Sequence, residues 1–224
     1  MNVILFDIDG TLVRTGGAGK AAMEAALCEV FGVRLAADGI PYSGRTDRAI
    51  GSDLLAGHAV APTPANVTTL IDGYLARLPA YLGRIAGVVC PGVGDLLGAL
   101  GGRSDVVLGL LTGNVRRGAE AKLSHYGLWH HFVCGGFGDD HHDRDDVARS
   151  ALRSVGEHLG AAVNPSDVWV IGDTPLDVSC ARAVGARAVA VATGWHPLAE
   201  LAACKPDLLL DDLSDPGELL RRWA

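Results

Sequence analysis

Lysine is scarce in this chain: its 224 residues include only Lys20, Lys122 and Lys205, and none lies between Lys122 and Asp173. The formal charge is −7 and no basic stripe is present, which argues against a nucleic-acid partner. Five cysteines, Cys28, Cys90, Cys134, Cys180 and Cys204, are odd in number, widely spread and without a C-x-x-C pair. That pattern speaks against a disulfide framework and for buried, reduced thiols in a cytoplasmic chain. No apolar run reaches membrane-spanning length, so no membrane partner is expected. Nothing at the N-terminus resembles a signal peptide. Internal repeats and low-complexity tracts are also absent. What remains is 49% hydrophobic and 20% charged, a globular composition, at a length that suits one domain or a core with a smaller insertion.

The most informative stretch is Asn2 to Val13, NVILFDIDGTLV. Val3, Ile4, Leu5 and Phe6 run without a polar break, as in a strand buried on both faces of a parallel sheet. The run ends on Asp7, Asp9 follows, and Gly10 and Thr11 break the strand. Carboxylates that close raise each other's pKa unless a cation intervenes. Mg²⁺ is the simplest such cation, since it takes carboxylate, carbonyl and water oxygens. In open α/β sheets, ligands bind beyond the carboxyl ends of the strands.

Glycines at 16, 17 and 19 make a flexible exit from that strand. Helical periodicity follows over residues 20–31, 46–58 and 65–82, with a break at Pro62-Thr63-Pro64. Residues 15–87 therefore read as a helical module inserted between two glycine-rich joints. From Val93 onward helices and strands alternate, the signature of a parallel α/β sheet. Strands are expected at 106–111, 132–134, 167–171, 186–192 and 208–210, and a helix at 147–159. The expected fold is a doubly wound, Rossmann-like α/β core of residues 1–14 and 88–224, with the helical domain 15–87 inserted.

Three apolar strands end in short polar residues: Asp7 and Asp9, Thr112-Gly113-Asn114, and Asp173. A parallel sheet brings such ends to one edge. DIDGTLV, LLTGN and GDTPLD resemble, in this order, the first, second and fourth motifs of the haloacid dehalogenase superfamily in its phosphatase form. The resemblance implies that Asp7 is the nucleophile and that Asp9 is the general acid and base. It implies that Thr112, with Gly113 and Asn114 before a helix N-terminus, holds the phosphoryl group. Mg²⁺ would be held by Asp7, the Asp9 carbonyl and Asp173, with Asp177 orienting a bound water. Dehalogenases of the superfamily lack the second aspartate and need no metal, so Asp9 argues for phosphoryl transfer. The inserted module resembles the helical cap of members that act on small phosphate esters, such as phosphoglycolate phosphatase. The expected partner is thus a small phosphorylated substrate of a monomer or homodimer.

The family's third motif supplies a lysine that this chain cannot offer. Arg144, Arg149 and Arg153 are the cationic candidates, and Arg144, just before a predicted helix, is favoured. Lys122 is expected on the surface. In the module, Arg45 of SGRTD either clamps a substrate anion or pairs with Asp47. His141-His142 reads as a solvated loop, and Trp195-His196 as part of the entrance. The expected activity is Mg²⁺-dependent hydrolysis of a phosphate ester through an aspartyl-phosphate. A phosphomutase and a non-catalytic phosphate-binding regulator are the alternatives.

Overall fold

The computed structural model describes residues 1–34 and 39–223. The chain runs through β1 (Asn2–Phe6), β2 (Val13–Arg14), α1 (Ala18–Phe31), α2 (Asp47–Gly57), α3 (Pro64–Arg84) and β3 (Val88–Val89). It continues through α4 (Val93–Leu100), β4 (Val106–Leu111), α5 (Arg116–His125), β5 (Cys134–Gly136) and α6 (Arg144–Leu159). It ends with β6 (Val168–Gly172), α7 (Pro175–Ala183), β7 (Arg187–Val191), α8 (Leu198–Ala203), β8 (Leu208–Leu210) and α9 (Gly217–Arg222). Six of the strands form a parallel sheet in the order β5-β4-β1-β6-β7-β8. Counted along the chain within that sheet this is 3-2-1-4-5-6, the doubly wound order. The order reverses beside β1, so Asp7 leaves the sheet at the topological switch point, where such folds bind ligands.

The sheet is apolar on both faces, which is why its strands read as unbroken hydrophobic runs. Ile4, Phe6, Leu108 and Leu110 pack with α4, α5 and Trp223 on one side. Val3, Leu5, Val168 and Val170 pack with α6 and α7 on the other. The helices α1, α2 and α3 bury a third cluster of their own, including Leu27, Leu54, Leu70 and Tyr74. The chain enters and leaves this module through β2 and β3, which pair antiparallel and set the two joints side by side.

Three local readings change. First, β2 and β3 have two residues each, too few for periodicity to register. Second, Phe132 caps a 3₁₀ turn of residues 129–131, its N–H donating to the Trp129 carbonyl, and the strand starts at Cys134. Its Gly135-Gly136 carries no strand propensity. Third, α6 begins at Arg144 rather than Val147. Asp143 accepts from the Asp145 N–H at 2.9 Å as N-cap, and Asp145 and Asp146 occupy the positive end of the helix.

Candidate active site

The sheet ladder carries one residue beyond β1, since the Asp7 N–H donates to Ile171 at 2.9 Å. The Asp7 carboxylate is buried and meets the Arg144 guanidinium, Nη2 lying 2.9 Å from Oδ1. The same nitrogen binds Asp177 Oδ1, while Nη1 donates to the Gly44 carbonyl at 3.1 Å. Arg144 is 5% exposed, and its Nε has no hydrogen-bond partner among the described residues. Arg149 lies on the outer face of α6, exposed and paired with Asp146. Asp177 closes the capping box of α7, its Oδ2 accepting from Thr174 N–H at 2.9 Å and Oγ1 at 2.8 Å.

Asp173 ends β6 and is almost wholly buried, accepting from Thr11 Oγ1 at 3.1 Å. Two glycines leave the room it occupies. A Cβ on Gly194 would stand 1.7 Å from its Oδ2, and one on Gly10 would stand 2.3 Å away. Oxygens of Asp7, Asp173 and Asp177 lie within 4.8 Å of one another and could hold a metal ion. Burial pushes Asp173 up to about 9, with Asp177 and Asp7 adding to it, and pushes Asp7 up to about 6 against the pull of Arg144. A bound dication reverses that penalty, and an all-oxygen donor set suits a hard ion. The residues present therefore fit Mg²⁺.

Asp9 faces a different set of groups. Its Oδ2 accepts from Asn114 Nδ2 at 2.8 Å and from Lys122 Nζ at 2.6 Å. Lys122 Nζ also donates to Asn114 Oδ1 at 2.7 Å. Asn114 Nδ2 reaches Thr112 Oγ1 at 2.9 Å, which ties the end of β4 to the same ring of contacts. Lys122 is thus not a surface residue: it is 4% exposed. Burial works against its charge, but Asp9, Tyr74 and Asp47 outweigh that and raise its pKa. Ala119, Lys122 and Leu123 share the buried face of α5, and their spacing of three and four residues was the available signal.

The module reaches this edge through residues 43–47. The Asp47 N–H donates to Gly113 O at 2.8 Å, and Asp47 Oδ2 accepts from the Val115 N–H at 2.9 Å. A Cβ on Gly113 would stand 2.1 Å from the Arg45 carbonyl, so the second motif's glycine permits this approach. Thr46 Oγ1 donates to His142 O at 3.2 Å, and Ser43 Oγ lies 3.2 Å from His196 Nε2. The Arg45 side chain pairs with Asp53 at 2.7 Å, not with Asp47, and lines the cavity beneath the module. That cavity measures about 660 Å³, with Asp7, Asp9, Asn114, Lys122 and Arg144 at its core end and Lys20, Tyr42 and Ile50 at its module end. Trp195, 93% exposed, stands at its rim. Apart from Lys122, sequence reasoning missed Gly194, whose only signal is its place after β7, and the buried Asp47.

A family model described as haloacid dehalogenase-like hydrolase matches residues 4–182. A phosphoglycolate phosphatase of Synechococcus elongatus is 38% identical over 125 residues, 56% of this chain and 56% of that protein. The probable phosphatase IndB of Dickeya dadantii is 29% identical over 221 residues, 95% of this chain and 90% of the relative. Among solved structures, CbbY from Rhodobacter sphaeroides in complex with phosphate superposes with a TM-score of 0.77 at 23% identity, covering 97% of this chain and 96% of that one. A predicted phosphoglycolate phosphatase from Haemophilus somnus gives 0.74 at 19% identity, covering 98% of each chain. At such identities the structural likeness establishes the fold alone.

Proposed function

The chain belongs to the haloacid dehalogenase-like hydrolases and is a phosphatase of that family; on that footing we propose that it hydrolyses a small phosphorylated metabolite through an aspartyl-phosphate on Asp7, with Mg²⁺ as cofactor. The observation that carries this reading is the buried set of Asp7, Arg144 and Asp173 at the switch point of the sheet. Asp7 attacks phosphorus, the bond to the ester oxygen breaks, and Asp9 supplies that oxygen with a proton. Asp9 then takes a proton from the water that hydrolyses the acyl phosphate and frees Asp7. Thr112 and Gly113 hold the phosphoryl oxygens, while Asn114, expected from the sequence to share that task, has its donors taken by Asp9 and Thr112 and braces the Asp9 carboxylate instead. Arg144 balances the nucleophile. It takes the part of the family's missing lysine. Asp7, the Asp9 carbonyl and Asp173 would hold Mg²⁺, which offsets charge between the two anions as they meet. Asp177, with both oxygens engaged by Arg144 and Thr174, fixes Arg144 beside that group.

The module of residues 15–87 is read as the cap: it roofs the cavity, excludes water and presents Arg45 to the leaving group. The free thiols suit a cytoplasmic enzyme. Hydrolysis of p-nitrophenyl phosphate, with Mg²⁺ and in excess chelator, tests the reading. Turnover restored by Mg²⁺, and trapping of phosphate on Asp7, support it. Turnover unchanged in chelator removes the metal, and phosphate binding without turnover leaves a binding protein. A panel of phosphorylated metabolites then identifies the leaving group.

A further inference from the structure

We propose that Lys122 is a positioning residue for Asp9: with Asn114 it holds one oxygen of the Asp9 carboxylate and leaves the other to exchange the proton. The inference rests on the phosphatase reading and extends it to a residue outside the motifs. Asp9 Oδ2 takes both donors, at 2.6 Å from Lys122 and 2.8 Å from Asn114. Oδ1 has no hydrogen-bond partner among the described residues. The Asn114 amide cannot turn without loss, because its oxygen faces the Lys122 ammonium at 2.7 Å while its nitrogen serves Asp9 and Thr112. The three side chains therefore form a closed ring with one outlet.

Burying an ammonium is unfavourable unless it is paired and hydrogen-bonded. Lys122 is buried under the module as well as in the core: a Cβ on Gly19 of α1 would stand 3.3 Å from Nζ. Its carboxylate partner remains 41% exposed at the side chain, open to the cavity. A purely structural ion pair gains nothing from that asymmetry, whereas a proton donor needs it. In the first step the Asp7 oxygen bonds to phosphorus and the ester bond breaks. Its electron pair stays on the leaving oxygen, which takes the proton of Asp9. Asp9 is left as a carboxylate, and the ammonium beside it stabilises the charge as it forms.

The test compares kcat/KM, which reports on the steps up to loss of the leaving group, for two aryl esters. Phenyl phosphate needs a proton on its leaving oxygen, and dinitrophenyl phosphate does not. Lys122→Met is expected to lose at least about tenfold more on phenyl phosphate than on dinitrophenyl phosphate, as general-acid catalysis is lost. Lys122→Arg should recover part of the difference, and Lys122→Met in an Asp9→Asn background should add nothing further. Equal losses on both esters, or losses that multiply with Asp9→Asn, overturn the proposal. If Lys122→Met does not fold, Lys122→Gln carries the same comparison. A wild type that turns over neither ester sinks the phosphatase reading itself, a result distinct from an active wild type indifferent to Lys122.

Discussion

Arg144 and Lys122 are both almost wholly buried, and each is set against one of the two aspartates that follow β1. They differ in how they are held. Arg144 stands at the first position of α6, and its planar fork spans Asp7, Asp177 and the Gly44 carbonyl. Two of those three partners are buried core carboxylates, one of them locked in a helix cap. Lys122 is a point charge in the last turn of α5, shared between Asp9 and Asn114, with α1 and α3 of the module beside it. The Asp7 side is therefore built mainly by core carboxylates, with one carbonyl from the module, and the Asp9 side packs against α1 and α3 of the module.

Four substitutions sharpen or break that division. The largest effect is expected for Asp7→Asn, which should abolish turnover while the fold persists, because burial already favours the neutral form of this side chain. Residual activity above a trace in the folded variant would move the nucleophile elsewhere.

Arg144→Ala should lower kcat by about a hundredfold, roughly 3 kcal/mol, with part regained in Arg144→Lys. Near wild-type kcat in Arg144→Ala, with Arg149→Ala inactive, would transfer the role to Arg149 and dissolve the comparison.

Asp47→Asn probes the module's hold on the Lys122 side through stability. Burial pushes Asp47 from 3.8 up to about 6, so the folded state holds this proton more tightly than the unfolded chain does. Below the ordinary value both states are protonated and the group costs nothing. As pH rises through 3.8 to about 6 the unfolded chain ionises first, stability falls, and the full cost remains at neutral pH. Asp47→Asn should thus be more stable than wild type at neutral pH, on the order of 2 kcal/mol, and no more stable at pH below the ordinary carboxylate range. Urea unfolding at both pH values measures it; a difference that does not change with pH refutes the argument.

The smallest effect is expected for Arg45→Ala. Its ion pair with Asp53 is half in solvent and worth little. The loss should therefore appear as a rise of about tenfold in KM for the preferred metabolite, with p-nitrophenyl phosphate spared. Equal losses on both would place Arg45 in the chemical step.

Most of the sheet was legible because its strands are buried on both faces and their composition is uniform: β4 and β8 coincide with their apolar runs residue for residue. The ends of those runs marked Asp7, Thr112 and Asp173, since a polar residue closing a buried strand of a parallel sheet has one edge to go to. The order of the motifs the chain resembles pointed to Arg144 over Arg149, and it is Arg144 that the fold buries against Asp7. Lys122 was not legible. Its stripe on α5 is apolar by period, but a lysine there reads as solvated until something covers it, and what covers it lies in α1 and α3, far away in the sequence. The same holds for Gly194 beside Asp173, which reads as an ordinary loop glycine until β7 is set two strands from β1. The sequence by itself determined the strand order's raw material and the residues at the strand ends, because local burial and periodicity are written along the chain. Which charge meets which carboxylate was decided only by tertiary packing, because the energy of a buried ion depends on every element that closes over it.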